Sequence, residues 1–226
     1  MNRFERLEKI IDKDKINIIK NSKVLVLGVG GVGGYVVESL VRSGIGTIII
    51  VDKDIVDETN INRQIIALDS TIGKNKVDVF EERIRDINPN CNVIKINSFI
   101  GKDNIDLLFK ERIDYLVDAC DTTSTKILVM EECLRRKIKF ISSMGTGNKF
   151  HPEMLEITEI RKTINDPLAK IIRKYVKDNK INDKIIVLSS KEVPVHINDR
   201  VVGSTSFVPP AAGLLIASYI INNIIK

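Results

Sequence analysis

A glycine-rich stretch, GVGGVGG at residues 28–34, directly follows a short apolar run. Gly28, Gly30 and Gly33 have the G-x-G-x-x-G spacing, in which glycine permits a tight turn and a close approach of the backbone to a phosphate. A helix that starts here presents free N–H groups and a favourable dipole to that phosphate. Asp52, at the end of the next apolar run, is placed to accept hydrogen bonds from a ribose hydroxyl. Glycines can also serve only close helix packing, but strand, loop, helix and acid together predict a nucleotide site.

A second polar cluster follows in NINRQIIALDSTIGKNK, residues 60–76. The glycine loop alone can hold an intact dinucleotide. Adenylation of a carboxylate by ATP instead expels pyrophosphate, which requires cations beyond the loop and a carboxylate that binds magnesium. Arg63, Lys76 and Asp121 have the side chains for these roles. Each also has a plainer explanation, as a turn cap, a solvated helix start or a helix N-cap, but their joint position at the carboxyl ends of successive strands favours a ligand site.

These residues need a fold that brings strand ends together. Short β-branched apolar runs occur at 24–28, 47–52, 92–96, 115–119 and 139–143. Between them, apolar residues have helical spacing at 32–44, 76–88 and 122–137. This alternation is typical of a parallel α/β sheet. We therefore predict a Rossmann-like, doubly wound and mostly parallel sheet with flanking helices.

The order of elements changes after residue 150. Strands are predicted at 154–160 and 184–190, on either side of a basic helix over about 167–179, and a final helix follows Pro210. These C-terminal strands are predicted to be antiparallel. We expect one domain over 1–226, with a nucleotide-binding half (1–150) and a C-terminal half that faces the substrate (151–226). The polar, turn-rich stretch 191–205 predicts a mobile loop beside the site.

Composition limits the class of protein. A chain of 226 residues with 43% hydrophobic content can bury a substantial core. The N-terminus, MNRFERLEKIIDKDK, is charged and has no apolar core of a signal peptide. Prolines and asparagines interrupt the apolar C-terminal stretch, which falls short of the roughly 20 apolar residues that a spanning helix needs. These features predict a cytoplasmic protein without membrane insertion, and the net charge of +5 favours an anionic partner.

Four motifs together resemble the adenylating domain of the ubiquitin-activating-enzyme-like superfamily: GVGGVG, VDKDIVDETNINRQ, GKNK and VDACDTTSTK. The resemblance implies an ATP site in which Asp52 holds the ribose and Asp121 engages Mg²⁺. Asn60, Arg63 and Lys76 are implied to hold the phosphates. It also implies a homodimer in which Arg6 reaches the neighbouring subunit's triphosphate. The full nucleotide set predicted in this way is Gly28, Gly30, Gly31, Gly33, Asp52, Asp54, Asn60, Arg63, Gln64, Lys76 and Asp121.

Within this superfamily the chain is most similar to the tRNA threonylcarbamoyladenosine dehydratases. Their pattern continues through ISSMGTGNKFHP, TEIRKTINDPLAKIIRKYVK and GSTSFVPPAAGLL, and so covers nearly the full length. The resemblance implies that ATP activates the carboxylate of the threonylcarbamoyl group on adenosine 37 of tRNA. Ring closure then follows, with loss of water and release of AMP.

The cysteines agree with this choice of subfamily. Activators of sulfur carriers usually have paired C-x-x-C motifs and a cysteine in a crossover loop, and this sequence has neither. A ring closure can draw its nucleophile from the substrate itself. Cys91, Cys120 and Cys133 are therefore interpreted as reduced, small apolar residues.

A basic segment is the candidate for RNA contact. Arg161–Lys180 contains seven basic and two acidic residues, so its net charge of +5 equals that of the whole chain. Such a stripe is suited to the phosphates of an anticodon stem, or is an ordinary solvated helix face. Lys149, in SSMGTGNK, is predicted to form part of a wall for the substrate's acyl group. The predicted substrate and tRNA set is Lys149, Arg161, Lys162, Lys170, Arg173, Lys174 and Lys177.

Other functions stay open from the sequence. The first is adenylation of the C-terminal carboxylate of a ubiquitin-like sulfur-carrier protein. The second is an NAD-linked oxidoreductase or a non-catalytic nucleotide-binding module. A protein partner of the sulfur-transfer type is also open.

Overall fold

The computed structural model describes residues 3–196 and 201–226. Within these residues, the strands are β1 (Lys23–Leu27), β2 (Thr47–Val51), β3 (Asn92–Ile96), β4 (Tyr115–Asp118), β5 (Phe140–Ser143), β6 (Leu155–Glu159) and β7 (Ile186–Ser190). They form one sheet in the order β3-β2-β1-β4-β5-β7-β6. All neighbouring pairs are parallel except β6 and β7, which are antiparallel. The predicted mostly parallel sheet with antiparallel C-terminal strands is confirmed.

Helices cover both faces of this sheet. In the described residues they are α1 (Glu5–Glu8), α2 (Lys13–Asn21), α3 (Gly33–Arg42), α4 (Lys76–Ile87), α5 (Thr123–Arg136), α6 (Pro167–Asp178) and α7 (Val208–Ile224). Apolar residues of α3, α4 and α7 belong to one core, and those of α5 and α6 belong to the other. The sheet is therefore doubly wound, as predicted.

The pleat of β1 explains how the sheet separates two cores. Val24 and Val26 belong to the core under α3, whereas Leu25 and Leu27 belong to the core under α5 and α6. All four side chains are nearly inaccessible to solvent. Because successive residues of a strand point to opposite faces, a continuous apolar run serves a strand that is covered on both sides.

The final helix begins earlier than predicted. It starts at Val208, and Pro209 and Pro210 lie inside its first turn. Proline suits this position because the first backbone N–H groups of a helix have no acceptor within the helix. None of the described helices has both the length and the apolar character that crossing a bilayer requires.

The strand order fixes where a ligand site can form. From β1 the chain runs outward to β2 and β3 on one side and later to β4 and β5 on the other. At such a switch point the connections after neighbouring strands diverge, which leaves a crevice at the carboxyl ends. The glycine-rich stretch follows β1 and therefore lies at this crevice.

Candidate active site

A cleft of about 500 Å³ opens at the carboxyl ends of β1, β2, β4 and β5. Nine of the predicted nucleotide residues line it: Gly28, Gly30, Gly31, Asp52, Asp54, Asn60, Arg63, Gln64 and Lys76. Asp121 also lines it, from the loop after β4. The remaining member, Gly33, does not. The fold thus gathers residues that are up to 93 positions apart, Gly28 and Asp121, on one concave surface.

Glycine is required at two places in the loop after β1. Gly28 has a φ of +83°, and a Cβ there would lie 2.9 Å from backbone atoms of Ala119 and Cys120. A Cβ on Gly33 would lie 1.8 Å from the carbonyl oxygen of Gly28. Gly33 therefore allows α3 to begin directly against the loop, and so it shapes the cleft without lining it.

Asp52 supports the glycine loop from the end of β2. Its Oδ2 accepts the backbone N–H of Val29 at 2.8 Å, and its Oδ1 accepts the N–H of Asp54 at 2.9 Å. A carboxylate oxygen has a second lone pair for a further donor. Asp52 can therefore brace the loop and bind a ribose hydroxyl at the same time.

Two of the predicted residues that line the cleft are cations, Lys76 and Arg63, and the Arg63 side chain lies beside Gly31 of the glycine loop. Lys76 begins α4, and its Nζ donates to Oδ2 of Asp54 at 3.2 Å. Burial alone would raise the pKa of Asp54, but the charge and hydrogen bonds of Lys76 and Lys53 hold this pKa below its ordinary range. Arg63 donates from one terminal nitrogen to the carbonyl of Thr59, at 2.8 Å. That bond uses only part of the five-donor guanidinium, so Arg63 keeps donors for an anion.

Two amides complete this side of the cleft. The Oδ1 of Asn60 accepts the N–H of Asp57 at 3.2 Å and closes a capping box with it. Gln64 is buried beside Gly30, and its Oε1 has no hydrogen-bond partner within residues 3–196 and 201–226. A buried amide oxygen without a donor is costly, so Gln64 is ready to accept a hydrogen bond from a ligand.

The two aspartates in DACD have different surroundings. Asp118, at the end of β4, is buried, and it accepts hydrogen bonds from Nζ of Lys126 at 3.0 Å and from the hydroxyl of Ser142 at 2.5 Å. Asp121 is exposed in the cleft, and among the described residues its side chain accepts a hydrogen bond only from the hydroxyl of Thr122, at 3.3 Å. Asp121 is therefore the carboxylate that is available to a ligand. Sequence reasoning missed the Lys126–Asp118 pair, which holds the base of this loop.

A magnesium ion fits this site only together with a nucleotide. In the part of the chain that the structure describes, no group of three or more His, Cys, Asp or Glu side chains could hold a metal. Mg²⁺ is commonly bound by one or two carboxylates together with substrate phosphates and water. Asp121 supplies one carboxylate at the open side of the cleft, which is consistent with that arrangement.

The predicted tRNA residues divide into engaged and free side chains. Lys149 does not line the cleft, because its Nζ lies in the interior, 2.6 Å from the carbonyl of Gly145 and 3.2 Å from Oδ2 of Asp166. This corrects the expectation that Lys149 faces the acyl group. Arg161 and Arg173 also bind backbone carbonyls of neighbouring segments. Arg161 nevertheless stays exposed, as do Lys162, Lys170, Lys174 and Lys177.

Arg6, Cys91 and Cys133 do not line the cleft, whereas Cys120 does. Arg6 is exposed on α1 and does not line the cleft of its own chain. Burial raises the pKa of the Cys91 thiol to about 11 and that of Cys133 to about 12. Cys120 lines the cleft, but burial, followed by the charge of Asp118, raises its pKa further still. All three are free thiols, and their raised pKa values leave little thiolate character. The predicted loop 191–205 falls partly outside the described residues.

The doubly wound sheet, the glycine loop and the cations beyond it define a nucleotide-binding protein of the adenylating type. The chain belongs to the ThiF family, whose model matches residues 4–223. It is 42% identical over 243 aligned residues to the tRNA threonylcarbamoyladenosine dehydratase of Bacillus subtilis, and the alignment covers 100% of this chain and 96% of the relative. A relative of the same name from Haemophilus influenzae is 38% identical over 77% of this chain and 67% of its own.

A solved structure shares the fold throughout. The tRNA N6-threonylcarbamoyladenosine dehydratase of Escherichia coli in complex with AMP has a TM-score of 0.93 and 31% identity, over 98% of this chain and 93% of that one. A second structure of the same E. coli enzyme, in complex with ATP, matches with a TM-score of 0.92. The expectation that the chain belongs to the ubiquitin-activating-enzyme-like superfamily is confirmed.

Proposed function

We propose that this protein is an ATP-dependent tRNA threonylcarbamoyladenosine dehydratase that acts on adenosine 37. One observation carries the proposal: Arg63, Lys76 and Asp121 line the same cleft as the glycine loop. A site for an intact dinucleotide does not need this second set of charges. The near full-length similarity to dehydratases, including one solved with ATP, supports the same reaction here.

The residues of the cleft divide the work of adenylation. The glycine loop and the start of α3 bind phosphates, and Asp52 orients the ribose. The substrate carboxylate attacks the α-phosphorus of ATP, which gives a mixed anhydride and pyrophosphate. Lys76 and Arg63 then stabilise the charge that accumulates on the departing diphosphate. An atom of the threonylcarbamoyl group attacks the activated carbonyl, the ring closes and AMP leaves, so that the net change is loss of one water.

Mg²⁺, when held by Asp121 and the phosphates, would neutralise phosphate charge and hold the triphosphate in line for attack. The protein's part is to keep Asp121 free for this role. Lys126 pairs with the buried Asp118 and not with Asp121. This pair also fixes the end of β4 beneath the loop that carries Asp121.

Arg6 acts in this proposal from a second copy of the chain. Its exposure on α1, outside its own cleft, is consistent with a homodimer in which it reaches the partner's triphosphate. Subunit mixing tests this role. Arg6→Ala and Lys76→Ala chains, each nearly inactive alone, should form mixed dimers with one intact site and recover activity. If Arg6 served its own chain, both sites of the mixed dimer would be damaged and no activity would return.

The C-terminal half, 151–226, is proposed to face the tRNA in the cytoplasm. The four exposed lysines at 162, 170, 174 and 177 would then contact phosphates, and the affinity would fall steeply with salt. Alanine at all four positions should weaken tRNA binding and reduce its salt dependence, while ATP binding is retained. An unchanged salt dependence would leave α6 as an ordinary solvated helix.

A single assay tests the reaction. Purified protein is incubated with ATP, Mg²⁺ and either tRNA that bears threonylcarbamoyladenosine or a ubiquitin-like carrier protein, and both pyrophosphate release and nucleoside mass are followed. Loss of one water from the nucleoside supports the proposal. Pyrophosphate formed only with the carrier would support carrier adenylation instead, and binding of NAD but not ATP would exclude both.

A further inference from the structure

Two phenylalanine rings are exposed at the rim of the cleft. Phe150 is 60% exposed and Phe207 is 38% exposed. Their ring centroids are 5.0 Å apart and their planes are at 88°, so the two rings meet edge to face. Phe150 follows Gly147 by three residues, and Phe207 precedes Pro209 by two. Gly147 and Pro209 both line the cleft, so each ring is attached within three residues of the lining, although neither phenylalanine is itself a lining residue.

The backbone beneath these rings is firmly held. The carboxylate of Glu192 is buried, and it accepts the N–H groups of both Phe150 and His151 at 2.8 to 3.1 Å. Asn148, at a φ of +56°, accepts the N–H of Gly203 at 2.6 Å through its side chain. An exposed aromatic side chain on a fixed backbone loses little further entropy when a partner covers it. The hydrogen bonds of Glu192 and Asn148 therefore hold the Phe150 side chain in its exposed position.

The loop that bears Phe150 is joined to the lysine-rich helix α6. Lys149, directly before Phe150, forms a buried ion pair with Asp166, the N-cap of α6. This contact joins the ring-bearing loop to the helix whose exposed face carries Lys170 and Lys174. Neither lysine has an ion-pair partner among the residues that the structure describes. Exposed aromatic side chains that stack on bases, together with cations that contact phosphates, are the combination by which proteins bind single-stranded nucleic acid.

We propose that Phe150 stacks on an unpaired base of the substrate RNA next to the reactive nucleoside, with Phe207 supporting it from the side. The inference rests on the proposed function, because the nucleoside in the cleft then has neighbours in a single-stranded loop. Such bases can be splayed out and stacked on aromatic side chains. The ring pair would thereby position the threonylcarbamoyl carboxylate at the α-phosphate.

Variants at position 150 separate stacking from simple apolar contact. We would compare Phe150→Ala, Phe150→Leu and Phe150→Tyr with the exposed control Ile10→Ala. The affinity for a fluorescent anticodon stem-loop RNA, measured by anisotropy, should fall by about tenfold for the alanine and leucine variants and stay near wild type for tyrosine and the control. In a 2-aminopurine-labelled stem-loop, the label beside the modified adenosine should be quenched by the wild type but not by Phe150→Ala.

Steady-state kinetics extend the test to the reaction. Phe150→Ala should raise KM for the modified tRNA by about tenfold and leave kcat within about twofold. With the free modified nucleoside as substrate, the difference between the variants should disappear. Full activity of Phe150→Leu, or a changed oligomeric state of Phe150→Ala in sedimentation experiments, would overturn stacking in favour of plain packing. If wild-type protein binds the RNA through Phe150 but leaves the nucleoside unchanged, the proposed function fails and the stacking stands.

Discussion

Three lysines are buried in the described part of the chain, and they lie in two kinds of surroundings. The side chains of Lys126 and Lys149 are each 1% exposed, and their partners Asp118 and Asp166 are 2% and 0% exposed. The side chain of Lys76 is 6% exposed, but its partner Asp54 is 50% exposed at the cleft. All three lysines are equally hidden, so burial of the lysine alone does not identify the residue that meets a ligand.

The exposure of the partner makes the difference. When both members of an ion pair are buried, no ligand can displace either partner. Lys126 and Lys149 therefore stabilise the structure. Lys126 joins the ends of β4 and β5, and Lys149 joins the loop after β5 to α6. The partner of Lys76 is open to solvent, so an incoming phosphate can compete with Asp54 for the ammonium. Lys76 is therefore the lysine of the three that we assign to chemistry.

Removal of the buried cation of Lys126 should give the largest effect. Lys126→Met leaves Asp118 buried without its counter-charge, so the free energy of unfolding should fall by about 3–5 kcal/mol. Urea denaturation measures this loss. The double variant Asp118→Asn with Lys126→Met removes both charges and should recover part of it. A loss below about 1 kcal/mol would show that the pair is not structural.

Removal of Lys76 should give the opposite pattern. Lys76→Ala should lower kcat by about 100-fold, since the cation is needed most as pyrophosphate departs, while ATP affinity and stability change little. Arg63→Ala should behave in the same way. Single-turnover kinetics, ATP titration and thermal melting of each variant check this, with the exposed Lys184→Ala as control. Equal losses in turnover and affinity would contradict the assigned role.

The exposed Asp121 and the buried Asp118 provide the same comparison for carboxylates. Asp121→Asn should raise the Mg²⁺ concentration for half-maximal turnover by about tenfold, because one anionic ligand is lost. The unfolding curve should not move, in contrast to changes at the buried Asp118. Activity titrations with Mg²⁺ provide the measurement, and an unchanged Mg²⁺ requirement would place the metal elsewhere.

Glu38 is a buried carboxylate outside the cleft, and its effect should be the smallest. Burial alone would raise its pKa, but hydrogen bonds and charge from Arg83 and Arg42 lower it below the ordinary 4.5. A carboxylate with a lowered folded-state pKa stabilises the protein above its unfolded pKa, and this stability is lost as the pH falls through the folded pKa. Unfolding free energy should therefore fall by about 1 kcal/mol more in wild type than in Glu38→Gln between pH 5 and pH 3. Parallel pH profiles would refute this.

The sequence predicted the fold and the cleft for reasons that the structure makes clear. Short continuous apolar runs rich in β-branched residues fit strands that are covered on both faces, and the strand β1 is covered in this way. Arg63, Lys76 and Asp121 follow strands, and a parallel sheet gathers the carboxyl ends of its strands at one edge. Local pattern and tertiary placement therefore agree for these residues.

The remaining details depend on contacts between distant segments. Lys149 and Asp166 are separated by 17 positions and form a pair only after α6 packs against the core that it shares with α5. Lys126 and Asp118 are eight positions apart, but they meet because β4 and α5 enclose them. No spacing rule distinguishes such a lysine from one that binds substrate. The exposure of Phe150 likewise depends on how Glu192 anchors its loop.

The two hydrogen bonds of Asp52 restrict how this position can be probed. Each carboxylate oxygen accepts one backbone N–H, from Val29 and from Asp54. The amide of an Asp52→Asn side chain has the same shape, but whichever way it is turned its NH₂ faces one of these N–H groups, so hydrogen is directed at hydrogen. The isosteric change is then more disruptive than a lost charge, and sugar recognition and loop integrity cannot be separated at this residue.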